Sequence, residues 1–375
     1  MKELVEIRRA LHQIPELGFQ EFKTQAYLLD VIASLAQPYF TVDTWRTGII
    51  LTIAGKNPQL KIGWRTDIDA LAISEETGLD FASKHRGFMH ACGHDFHMTI
   101  ALGLVQEFAQ EQPDNTIIIY FQPAEESPGG AKPMLEFMKN ERPDLLPDYL
   151  FACHVAPEYP VGTVATRPGM LFANTSELFI DLKGQGGHAA RPHLTKDMTV
   201  AAANLILQLQ TIVSRNVDPL DSGVVTIGKM TSGVVQNIIA EHARLEGTIR
   251  TMSAESMALI KERIVKLCHA TELAYDCDVT IDWGSGYYQV YNDAACARAL
   301  LAYAEKTPAV TAYECDVAMT GEDFGFFLKE LPGAMFWAGA NTPYGLHDAH
   351  MSPDERLLAV NVAYVAGFLR QFKGA

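Results

Sequence analysis

The stretch Thr116-Ile117-Ile118-Ile119-Tyr120-Phe121-Gln122-Pro123-Ala124-Glu125-Glu126 decides the fold. Its first six residues are uncharged and almost uniformly apolar, so they leave no face for solvent. Such a run predicts a strand buried on both sides, and a central sheet covered by helices is the architecture that buries one. Open α/β sheets place their chemistry beyond the carboxyl ends of their strands, so Glu125 and Glu126 stand where a site is expected. An acidic pair elsewhere is usually a solvated loop. Here two adjacent side chains pointing in different directions can divide the work, one binding a metal and the other handling a proton.

The pattern recurs at Tyr149-Leu150-Phe151-Ala152-Cys153-His154, a second buried strand that ends in a histidine. Upstream, Met89-His90-Ala91-Cys92-Gly93-His94-Asp95-Phe96-His97 packs a thiol, three imidazoles and a carboxylate into nine residues. Gly93 permits a tight turn, and on an extended or turning backbone Cys92 and His94 reach the same side and can hold one ion or two adjacent ones. A lone histidine beside a helix start is more often a cap or a satisfied core group, but this density points to a metal centre. Asp67 and Asp69 follow a third strand and face the same way; beyond turn duty they are placed to support a metal-bound histidine.

Working outward, apolar spacing predicts helices over 4–13, 23–35 and 98–110 and strands over 40–45, 48–54 and 61–64. His12 and Glu16, at the first helix boundary, are expected at the surface or as caps. Beyond 173 the order becomes strand 176–183, helix 197–215, strands 223–229 and 238–250, helix 253–275 and strand 277–283, which is that of a ferredoxin-like split unit. Helices over 293–306, 321–329 and 353–372 and a strand over 334–339 complete the chain. The expected fold is α/β: a mixed central sheet flanked by helices, built from 1–172 plus 286–375, carrying an inserted ferredoxin-like α+β domain at 173–285.

The bulk properties narrow the partners. With 375 residues and 48% hydrophobic composition the chain can bury a large core. Its net charge of -15, from 45 acidic against 30 basic residues, argues against nucleic acid or an anionic membrane as a partner. The absence of a signal-like start or a long uncharged apolar stretch makes cytoplasmic residence the expectation. Six scattered cysteines fit free thiols in a reducing compartment.

Taken together, the 89–97 cluster, Gln122-Pro123-Ala124-Glu125-Glu126, Gly184-Gln185-Gly186-Gly187-His188-Ala189-Ala190-Arg191-Pro192-His193, Gly247-Thr248-Ile249-Arg250 and Gly321-Glu322-Asp323-Phe324 resemble the aminoacylase/carboxypeptidase family of dinuclear metal-dependent amidohydrolases. The branch they resemble is that of auxin-conjugate hydrolases, hippurate hydrolases and N-acetyldiaminopimelate deacetylases, and Arg65-Thr66-Asp67-Ile68-Asp69-Ala70-Leu71 tilts the match to the last. The resemblance implies two divalent ions (Zn, Mn, Co or Ni) on Cys92, His94, Glu126, His154 and His347, with Glu125 as catalytic base and Asp69 and His188 in the catalytic set. It also implies Asn237 and Arg250 on the substrate, a homodimer formed through the inserted domain, and His188 reaching the partner's site. Two departures stand out: Ala72 replaces a usual proline, and Asp348-Ala349 follow His347, with His350 three residues on as a competing ligand. Leu346 and the downstream Pro353-Asp354-Glu355 favour His347.

The expected reaction is metal-dependent hydrolysis of an N-acylated amino acid: acetyl removal from N-acetyl-L,L-diaminopimelate in lysine biosynthesis, or a broader N-acyl-amino-acid amidohydrolase. The ions would activate a water whose proton Glu125 takes and later gives to the leaving amine. Two other classes compete. A cysteine hydrolase would use Cys92 as nucleophile with His94 or His97 as base, leaving Glu125, Glu126 and His154 without a purpose. A non-catalytic metal-binding scaffold would bind ions without turnover.

Overall fold

The computed structural model describes residues 3–375. The chain divides into two compact units: one holds the chain up to Leu171 with Val290–Val317 and Glu322–Ala375, the other Phe172–Gln289 with Ala318–Gly321.

The first unit is built on an eight-stranded mixed sheet. Its strands are β1 (Phe40–Trp45), β2 (Gly48–Ile53), β3 (Lys61–Asp67), β4 (Thr116–Gln122), β5 (Tyr149–Ala156), β6 (Thr163–Thr166), Thr311–Glu314 and Gly333–Gly339. Across the sheet the order is β1, β2, β4, β3, β5, Gly333–Gly339, β6, Thr311–Glu314. Every residue of β4 is buried, as its composition requires. β3 pairs parallel with both β4 and β5, and Asp67 lies opposite Gln122. The carboxyl ends of these three strands therefore meet at one edge, bringing Asp67, Gln122 and His154 together.

Among the described residues four α-helices precede the inserted segment: α1 (Leu4–His12), α2 (Phe22–Ser34), α3 (His94–Gln110) and α4 (Ala131–Glu141). α3 is buried almost all round and packs against β3, α1 and the last helix, Arg356–Gln371. Trp64, Phe96, Phe108, Phe121, Phe151 and Phe336 anchor the core between these layers. Among the described residues no helix is long and apolar enough to cross a membrane.

The second unit is an antiparallel sheet in the order Gly223–Ser232, His242–Thr251, Asn174–Lys183, Asp278–Asp282, with helices Met198–Asn216 and Ala254–Tyr275. Leu178, Ile180, Leu182, Leu205, Leu209, Leu245, Ile249, Ile260 and Ile264 fill its core. This is the ferredoxin-like arrangement.

Three elements and one side chain differ from expectation. α3 starts at His94, four residues before the apolar periodicity begins, because His94, Asp95 and His97 are themselves buried and find polar partners there. The strand expected over 238–250 is interrupted: Ile238–Ile239 pairs with Gly187–His188, and the long strand starts at His242. Over 321–329 only Gly325–Leu328 is helical, since the Glu322 and Asp323 carboxylates are drawn to Arg65. His12 is fully buried, its Nδ1 2.8 Å from Asp95 Oδ2 and its Nε2 3.2 Å from Glu75. Glu16 does act as a cap, accepting the backbone N–H groups of Lys23 and Thr24 at the start of α2.

Candidate metal centre

Gly93 makes the local geometry possible. It caps α3 in the left-handed region at φ 82°, and a Cβ there would lie 2.4 Å from Val155 Cγ2. The turn leaves Cys92 just outside the helix and His94 as its first residue, both facing the carboxyl edge of the sheet. His94 Nδ1 donates to the Asp69 carbonyl at 2.9 Å, which leaves Nε2 as the nitrogen an ion could take. That buried Nε2 has no hydrogen-bond partner; Asp67 Oδ2 lies 3.7 Å away and Glu125 Oε2 3.8 Å away. His154 is held the same way, its Nδ1 donating to the Val155 carbonyl and its Nε2 3.4 Å from Cys92 Sγ.

His97, although in the same cluster, has both nitrogens engaged. Nδ1 donates to Asp67 Oδ1 at 2.7 Å and Nε2 accepts the Val155 N–H at 2.9 Å. Asp67 thus steadies His97, while the Asp69 side chain accepts the Glu126 N–H at 2.9 Å and supports the acidic loop. On the opposite side of the cluster, His347 Nε2 lies 3.1 Å from Glu126 Oε1, and its backbone N–H donates to Ala91. His350 turns elsewhere, with Nε2 3.6 Å from Glu76 and its ring stacked on Tyr344.

Ligand-type atoms lie within 4.8 Å of one another in the sets Cys92, His94, His154; Cys92, Glu126, His347; and His94, Glu125, Glu126. The expected residues of the first unit, Cys92, His94, Glu125, Glu126, His154 and His347 with Asp69 behind them, are therefore brought together. In the second unit His188 and Asn237 are neighbours: Ile238 pairs with His188, and Ala189 N–H donates to the Asn237 carbonyl. Arg250 donates to the Met319 carbonyl at 2.6 Å.

Behind Glu125 the structure adds a buried charge network that sequence reasoning left without roles. Arg65 donates to Gln122, Asp67 and Asp323, each at 2.8 Å, and pairs with Glu322 at 2.9 Å. Asp323 also accepts from Gln122 and from the N–H groups of Gly130 and Ala131 at the start of α4. Its own backbone N–H donates to Glu125 Oε1 at 3.3 Å. The signal that could have found this network is an arginine within a strand flanked by two buried strands, where carboxylates make burial tolerable.

The electrostatics favour cations. Burial first, then the like charges of Glu322, Glu126 and Asp323, push the Glu125 carboxyl well above the usual range. Burial first, then Glu126 and Glu125, raise the Cys92 thiol. Burial opposes a charged His94, yet Asp67, Asp69 and Glu126 hold its pKa up to about 10. This concentration of buried anions, with one guanidinium among them, is relieved by divalent ions, which turn a thiol into a thiolate and displace the imidazole proton. A fixed imidazole tautomer with an orphaned buried Nε2, beside a thiol and carboxylates, fits a site for borderline metals.

The pattern of Peptidase family M20/M25/M40 matches residues 63–371. An N-acetyldiaminopimelate deacetylase of Halalkalibacterium halodurans is 57% identical over 366 residues, covering 98% of both chains. One of Oceanobacillus iheyensis is 55% identical over 372 residues, 99% of this chain and 100% of that one. The solved YXEP protein of Bacillus subtilis, a dinuclear metal binding peptidase of the M20 family, superposes with a TM-score of 0.81 at 30% identity, covering 98% of this chain and 96% of that one. The chain belongs to the M20/M25/M40 peptidase family.

Proposed function

We propose that this protein is a metal-dependent amide hydrolase that removes the acetyl group from N-acetyl-L,L-diaminopimelate, giving diaminopimelate and acetate for lysine synthesis. The observation that carries the substrate is the shared name of five relatives, N-acetyldiaminopimelate deacetylase, at 55–57% identity over nearly the whole chain. Cys92, His94, Glu126, His154 and His347 would hold two divalent ions. Cys92 is common to the His94, His154 set and to the Glu126, His347 set, so its thiolate would serve among the ligands in either grouping.

Bound there, the ions supply an acidified water and polarise the scissile carbonyl. Glu125 takes the water's proton on its carboxylate and returns it to the departing amine. The Asp323 N–H directs the Glu125 side chain, and Asp69 fixes His94 and the Glu126 backbone. His188 would stabilise the oxyanion in the site of a partner subunit, and Asn237 and Arg250 would take the substrate carbonyl and carboxylate. Mixing His188→Ala with Glu125→Gln subunits should then restore activity in verified mixed dimers.

The deciding experiment is amine release from N-acetyl-L,L-diaminopimelate, N-acetyl-methionine, hippurate and an indole-acetyl amino acid, by protein first chelated and then resupplied with Zn²⁺, Mn²⁺ or Co²⁺. Metal-restored turnover that strongly prefers the diaminopimelate substrate supports the reading. Equal turnover on the others replaces it with a general deacylase, and activity unchanged after verified metal removal overturns it.

A further inference from the structure

The loop that carries Glu125 and Glu126 rests on the connection between α1 and α2. Gly18 meets the loop backbone to backbone: a Cβ there would lie 2.1 Å from the Ser127 carbonyl oxygen and 2.8 Å from Ala124 Cβ. Three residues on, the fully buried Glu21 accepts the Ala124 N–H at 2.9 Å on one oxygen and the Thr47 hydroxyl at 2.5 Å on the other. Ala124 stands at φ 57°, in the left-handed region that residues with a Cβ seldom occupy. Strain of this kind persists only where the surroundings impose it.

Ala124 is the residue before Glu125. Its Glu21 contact and the Asp69 contact to the Glu126 N–H grip the loop on either side of Glu125. Without the first, the backbone at 124 keeps only the Gly129 N–H on its carbonyl at 3.1 Å and relaxes toward a commoner conformation, which would swing the Glu125 carboxylate away from its place. We propose that Glu21 is a positioning residue for the hydrolytic reaction, holding Ala124 left-handed so that Glu125 is aimed at the metal centre. The proposal rests on Glu125 being the base.

The test compares Glu21→Gln, Glu21→Ala and Glu21→Ala combined with Ala124→Gly, each loaded with Co²⁺. Kinetic constants on N-acetyl-L,L-diaminopimelate are measured together with Co²⁺ stoichiometry, its visible absorption and Tm. The glutamine amide keeps an acceptor for Ala124 and a donor for the Thr47 oxygen, so its kcat should stay within about threefold of the parent. Glu21→Ala should lose about 10–100-fold in kcat with KM within about threefold and two ions still bound, a loss typical of removing a supporting contact. Glycine enters the left-handed region unaided, so the double variant should recover most of that loss even though its Tm stays low. A merely structural carboxylate would predict loss that follows Tm in all three.

A folded Glu21→Ala protein with kcat near the parent overturns the proposal, as does a double variant no faster than Glu21→Ala. Glu125→Gln, run alongside, separates the two layers: normal turnover there overturns the base assignment and the proposal with it. A dead Glu125→Gln beside an unaffected Glu21→Ala overturns the positioning role alone.

Discussion

His97 Nε2 accepts the backbone N–H of Val155 at 2.9 Å. This bond ties α3 to the strand residue next to His154, and it uses the nitrogen that a ligand would need. His97 therefore orients the site from behind. His97→Ala should leave the number of bound ions unchanged while weakening their binding by about 10–100-fold, the usual cost of losing such support. Metal titration of the purified variant checks this; loss of one ion per subunit at saturation would make His97 a ligand after all.

Glu125 lies within reach of the ligand set but is also surrounded by Glu322, Glu126 and Asp323. Its replacement by glutamine keeps the shape and would remove the proposed proton acceptor. Turnover should fall by about 10²–10⁴-fold, the range for a positioned acid–base group. Metal analysis of the same sample should show the parent's content. A thiol-blocking reagent applied to metal-free protein should prevent recovery of activity when metal is restored, because the buried Cys92 thiol is then not held by an ion, and metal-loaded protein should resist it; inactivation of the metal-loaded protein with chelator resistance would point to the cysteine-hydrolase alternative.

Much of this was legible from residue patterns because the chemistry sits at ends of strands whose burial the sequence dictates. The uniform apolarity of Thr116–Gln122 required a covered sheet, and the position of Glu125 and Glu126 followed from it. Buried polar residues were harder to place. His12 looks like a surface residue because nothing local reveals Asp95, which is 83 positions away. The His94 start of α3 was hidden for the same reason: hydrophobic periodicity gives no weight to a buried charge with a distant partner. The long-range pairing of Arg65 with Asp323 is likewise invisible to spacing.

His347 and His350 compete in sequence, but the structure separates their surroundings. His347 faces Glu126, whereas His350 pairs with Glu76 and Asp348 at the surface. His347→Ala should lose at least one ion of the pair and most activity. His350→Ala should retain the parent's metal content, because exposed pairs of this type contribute little, about 0–1 kcal/mol. Metal analysis after dialysis distinguishes them, and the reverse result would transfer the ligand assignment to His350.

Away from the candidate metal centre, His12 and Glu75 form a largely buried pair whose titration should shape stability. Burial works against the Glu75 charge, yet hydrogen bonds from His12, Thr77 and Ser83 bring its pKa down to about 2 from an ordinary 4.5. Between those values the unfolded chain binds the extra proton, so stability rises with pH through the window. The contribution is complete above about 4.5 and lost as pH falls toward 2. Burial also opposes a charged His12, but Asp95 and Glu75 raise its pKa above the ordinary 6.5. The histidine contribution is thus complete below about 6.5 and lost as pH climbs through the raised value. Glu75→Gln should lower stability by about 1–3 kcal/mol at pH 5–6, the scale of hydrogen bonds to a charged group. Measured as Tm against pH, the gap between parent and variant should close on the acid side and narrow again on the alkaline side. Curves that stay parallel from low to high pH would show that the pair carries no titration-linked stability.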